Sequence, residues 1–82
     1  MAAQRHKLRL YRGWSRRLTV EDVLDPRDPD RLRELFLALV EQATRSRNPD
    51  YRHWRLDVVD ISGGPIRAKV SIDRAGRTVI RR

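Results

Sequence analysis

The sequence predicts an α+β fold of two layers, one long helix packed on a three- or four-stranded antiparallel sheet. Three observations carry that prediction. The first is helical periodicity confined to residues 28–46, where Leu32, Leu35, Phe36, Leu39, Val40 and Ala43 recur at three- and four-residue steps. The second is alternation of apolar and polar residues with period two on both sides of that segment. The third is the shortness of the turns Ser62–Pro65 and Asp73–Gly76, which makes the strands they join antiparallel neighbours.

Taken in order, the first strand is expected around Lys7–Arg12, with Leu8 and Leu10 on one face and Lys7, Arg9 and Tyr11 on the other. Gly13 permits a turn. Thr19-Val20-Glu21-Asp22 reads as a helix start, with Thr19 as cap and the two acids in the first turn, and Pro26 ends that short helix or turn. The main helix is expected over 29–46, with Asp28 as N-cap, Pro29 at its first position and Asn48-Pro49 beyond its end. Glu41 and Arg45 form an i,i+4 pair on its surface. Leu37 falls outside the apolar arc and is expected to be exposed.

Three strands follow, Arg55–Ile61, Ile66–Ile72 and Arg77–Arg81. In the second of these Ile66, Ala68, Val70 and Ile72 are expected to face the core, with Arg67, Lys69 and Ser71 facing away. In the third, Thr78 and Ile80 go inward and Arg77, Val79 and Arg81 outward. The first breaks its own parity between Val58 and Val59, which predicts a bulge or a strand covered on both faces.

A chain of 82 residues makes one small domain, 1–82, whose first six residues are expected to form a basic tail. With no cysteine there is neither a disulfide framework nor a thiolate metal site. No apolar run approaches the roughly 18–20 residues of a membrane span, and the first residues lack a secretory apolar region. The expectation is a cytoplasmic protein with no membrane partner.

Charge is unevenly placed. Residues 1–18 carry six bases and no acid, residues 19–50 five bases and eight acids, and residues 51–82 eight bases and three acids, within a net charge of +8. An acidic middle therefore lies between two basic ends. Seventeen of the 19 bases are arginine. A GC-rich genome gives the same bias as phosphate recognition, so the charge itself weighs more than the choice of arginine.

Nothing in the chain points to catalysis. His6 and His53 lack metal-ligand spacing, and there is no nucleophile elbow, P-loop or dinucleotide fingerprint. Asp57, Asp60, Asp73 and Lys69 invite comparison with strand-borne nuclease sites, but Arg67 stands where the second acid belongs. No enzyme activity, cofactor or metal is expected.

The outward strand face is the stronger constellation. Lys7, Arg9, Arg67, Lys69, Arg77 and Arg81 are expected to share it, with Arg16 and Arg17 at its margin and Tyr11, Trp14 and Trp54 placed to stack on bases or sugars. A sheet closed by a helix on one side and basic on the other suits a nucleic-acid backbone. The leading expectation is thus a small non-enzymatic protein that binds nucleic acid without sequence specificity. The alternative is a protein-interaction module, an adaptor, inhibitor or assembly component that meets an acidic protein or forms a homo-oligomer, with Leu37, Val59 and Val79 as its apolar anchors.

Overall fold

The computed structural model describes residues 3–82. It is an α+β domain in which one helix packs against a five-stranded antiparallel sheet. The strands are β1 (Gln4–Arg12), β2 (Ser15–Leu24), β3 (Trp54–Asp60), β4 (Ile66–Ile72) and β5 (Thr78–Arg81), and the helix is α1 (Pro29–Thr44). The sheet order is β2-β1-β3-β4-β5. Consecutive elements are neighbours except β2 and β3, which α1 connects across one face.

The strand count exceeds the expected three or four because 15–24 is a strand and not a helix start. Leu18, Val20, Asp22 and Leu24 share one parity and pair with Leu10, Leu8, His6 and Gln4 of β1. The hairpin partner supplies hydrogen bonds that the local cap signal at Thr19 does not. The expected basic tail is also displaced. Residues 1–2 lie outside the described residues, whereas Gln4–His6 open β1 and His6 is buried. The His6 Nδ1–H donates to the Gln4 carbonyl at 2.8 Å.

α1 forms where its periodicity predicts. Asp28 accepts a hydrogen bond from the Arg31 amide at 3.2 Å, and Pro29 occupies the first turn. Leu32, Leu35, Phe36, Leu39 and Val40 are buried, but Ala43 is exposed. It ends at Thr44, two residues early, where Arg45 turns left-handed at φ 54°. That removes the expected Glu41–Arg45 pair. Glu41 instead accepts the Tyr51 hydroxyl at 3.0 Å, and burial and the Glu41 carboxylate together push the phenol of Tyr51 above its ordinary pKa. Leu37, expected to be exposed, is half-buried and packs against the core cluster, as Tyr51 and Ile72 do.

The core lies between α1 and the inner sheet face, where Leu8, Leu10, Leu56, Val58, Ala68 and Val70 meet Leu32, Phe36 and Val40. Trp54 belongs to it, with only 7% of its surface exposed. The parity break in β3 has both of its anticipated causes. The register shifts between Val58 and Val59, with the extra residue, Arg67, inserted in β4. Val59 faces the outer side yet is 1% exposed, so β3 is buried there on both faces although, among the described residues, no second layer lies over the outer one. The same shift pairs Ile66 with Val59, which takes Ile66 out of the core and leaves it exposed.

A candidate nucleic-acid interface on the open sheet face

α1 closes one face of the sheet and leaves the other to solvent. Strand register assembles that outer face in rows. Across the first row run Glu21, Lys7, Val59 and Ile66; across the second, Thr19, Arg9, Asp57, Lys69 and Arg81; across the third, Arg16, Tyr11, Arg55, Ser71 and Val79. At about 4.8 Å between strands, a full row spans roughly 19 Å. With Arg5, which pairs with Val23, the face carries seven bases and two acids.

The centre of the face is Asp57. It lies on β3, the middle strand, opposite Arg9 on one side and Lys69 on the other, and is 5% exposed. Its Oδ1 accepts from Arg55 Nε at 2.9 Å. Arg55 is two residues earlier on the same strand, so strand alternation alone puts the pair on one face. The Arg55 guanidinium also lies 4.5 Å from the centroid of the Tyr11 ring, a cation–π contact that fixes both side chains. One carboxylate thus holds together a set of cations that would otherwise repel one another. Arg9 Nε is buried without a hydrogen-bond acceptor among the described residues.

The other acids, Asp30 apart, are occupied. Glu21 pairs with Arg5, Asp22 and Glu34 with Arg31, Asp25 with Arg27, Asp50 with Arg52, and Asp60 with Arg67. Asp28 caps α1, Glu41 holds Tyr51, and Asp73 accepts the Ala75 and Arg77 amides in the β4–β5 turn. Hydrogen bonds from Arg52 lower the Asp50 carboxyl to about 2, and those from the Ser62 hydroxyl and amide lower that of Asp60. By contrast Lys7, Arg9, Arg16, Lys69 and Arg81 have no carboxylate within 4.0 Å among the described residues. These five share the outer face; Arg12, Arg17, Arg33, Arg45, Arg47, Arg74, Arg77 and Arg82 also lack a carboxylate partner among the described residues but lie outside its rows. Near one edge, Ile66, Lys69, Arg81 and Arg82 line a shallow groove of about 390 Å³.

Of the residues singled out from the sequence, the structure brings Lys7, Arg9, Tyr11, Arg16, Lys69 and Arg81 together. Three bases are placed differently. Arg17 is the extra residue of the β2 irregularity, Arg67 is the extra residue of the β4 bulge and sits 3.6 Å from Asp60, and Arg77 is held by its amide in the β4–β5 turn. Trp54, buried in the core, is removed from the stacking set, whereas Trp14 is 98% exposed. Val59 presents no surface to a partner and Val79 is half-buried. Arg55 and Asp57 were missed as a pair. Their signal was the common parity of Arg55, Asp57 and Val59, obscured by the break at Val58-Val59.

No protein-family model, curated protein or solved structure matches the chain. No helix among the described residues is long and apolar enough to cross a membrane.

Proposed function

We propose that this domain binds nucleic acid through phosphate contacts from its outer sheet face, without reading base sequence. The observation that carries the proposal is the clustering of unpaired bases in adjacent rows of one open sheet face. Five unpaired bases share one open face, while every acid but Asp30 is engaged in an ion pair, a cap, a turn or a side-chain hydrogen bond. A phosphate oxygen would supply the acceptor that the cations around Asp57 lack, and flexible lysine and arginine heads in rows tolerate any sequence. Binding of this kind releases counterions. Its affinity should therefore fall linearly in a log–log plot against salt, with a slope near −0.7 per phosphate contacted on a single strand and −0.9 on a duplex. Fluorescence anisotropy of labelled DNA and RNA from roughly 50 to 200 mM salt measures it. A slope of about −3 or steeper is expected from five free bases; absence of binding at the low-salt end overturns the proposal.

A second reading rests on β2. Among the described residues its outer edge pairs with no strand over Ser15–Leu24, which leaves a template for strand addition by a protein partner or a second copy. Main-chain pairing is nearly indifferent to salt. The same titration with light scattering separates the two, since a salt-insensitive dimer points to the edge and salt-sensitive nucleic-acid binding to the face.

A further inference from the structure

The β1–β2 turn ends in Gly13-Trp14, with Gly13 at φ 59° and Arg12 paired with Ser15 across the loop. Trp14 is 98% exposed, so no other side chain packs on it and the fold gains nothing from its indole. The tip is nevertheless fixed. The Gly13 amide donates to the His53 carbonyl at 2.9 Å, and Arg12 pairs with both Ser15 and Trp54, so the loop before β3 braces the hairpin. Arg12, Arg16 and Arg17 around it are all exposed. The tip lies one step along β1 beyond the row of Arg16, Tyr11 and Arg55.

Resting on the proposed phosphate-binding face, we infer that Trp14 is a stacking platform that makes the protein select single-stranded nucleic acid over duplex. A strand whose phosphates follow the basic rows has a base at the hairpin tip, and every base offers a π-face to an indole. In a duplex those faces are covered by the neighbouring pairs, so a duplex gains phosphate contacts without the stack. An anionic membrane surface would also attract a tryptophan set among arginines. The tip fits it less well, because Trp14 is flanked by Gly13 and by exposed Arg12, Ser15, Arg16 and Arg17, with no second apolar group to enter the lipid.

The test compares the intact protein with Trp14→Ala and Trp14→Phe, using oligo-dT, a duplex of equal length and vesicles containing phosphatidylserine. Trp14→Ala should weaken oligo-dT binding roughly 5- to 150-fold and leave the duplex unchanged, with Trp14→Phe retaining most of the affinity. An oligo-dT affinity unaltered in Trp14→Ala overturns the inference while duplex binding upholds the charged face. Vesicle binding that depends on Trp14 also overturns it, in favour of a membrane. Failure of the unaltered protein to bind either nucleic acid at low salt instead removes the phosphate-binding face itself.

Discussion

The combined charge reversal Arg16→Glu, Lys69→Glu, Arg81→Glu is expected to weaken nucleic-acid binding by roughly two orders of magnitude or more and to flatten the salt dependence by about three phosphate contacts. All three side chains are exposed on the outer face, and none has a carboxylate partner whose loss would disturb the fold. They also lie on three different strands, β2, β4 and β5, so together they remove the cationic character of the face from edge to edge. Circular dichroism should show the fold retained with a modest fall in the melting transition, because the Lys69 substitution sets a second carboxylate opposite Asp57. Arg67 and Arg77 are poorer choices despite their similar position in the sequence. Arg67 is already committed to Asp60, and Arg77 belongs to the Asp73 turn. If the triple variant binds as tightly as the unaltered protein, the contacts lie elsewhere, and the basic hairpin at residues 12–17 becomes the place to look.

Substitution at Asp57 should separate stability from binding, with opposite signs. Asp57→Ala leaves Arg55 without its acceptor and brings Arg9, Lys69 and Arg55 together with no negative charge among them. Breaking a buried pair costs about 3–5 kcal/mol, and the partial exposure of Arg55 (38% for its side chain) reduces that to about 2–3 kcal/mol. For a domain of this size, whose total stability is on the order of 4–12 kcal/mol, the loss is large and visible as a fall in the denaturant midpoint. Asp57→Asn keeps an oxygen for Arg55 and should lose about half as much. That milder variant is the one for binding measurements. It frees one cation for phosphate, so affinity should rise and the salt slope steepen by about 0.7–0.9. A less stable protein that binds more tightly is the mark of a residue that holds cations in place and competes with the ligand for them. If Asp57→Asn weakens both, Asp57 instead orders the face for binding.

The helix, the β3–β5 strands and the inward parity of β5 were legible in the sequence because each rests on a local pattern. Asp28-Pro29 and the Leu32–Val40 stripe need no partner to be read, and the short Asp73–Gly76 turn places β4 beside β5. What escaped depends on contacts between segments distant in the chain. β2 looked like a helix start because Thr19 and the acids after it satisfy a cap locally, and only pairing with β1 reveals the alternation of Leu18, Val20 and Leu24. The parity of Ile66 matches Ala68 and Val70 and predicts a core position; one inserted residue at Arg67 reverses it. The two tryptophans illustrate the same division. Both neighbour basic residues in sequence, but Trp54 shares the parity of Leu56 and Val58 and is drawn into the core, whereas Trp14 occupies a two-residue turn with no inward side. The basic face itself was half legible. Lys7 and Arg9 follow from alternation in β1, but their position around Asp57 required the order β1-β3-β4, which no local pattern encodes.

The most direct test of the outer face is chemical-shift mapping of the labelled protein during titration with a short oligonucleotide at low salt. The perturbed amides and side chains should trace Lys7, Arg9, Tyr11, Arg16, Arg55, Lys69 and Arg81, while the outer surface of the helix (Asp30, Glu34, Leu37 and Glu41) stays unmoved. Shifts confined to that helical surface, with the sheet face silent, would contradict it.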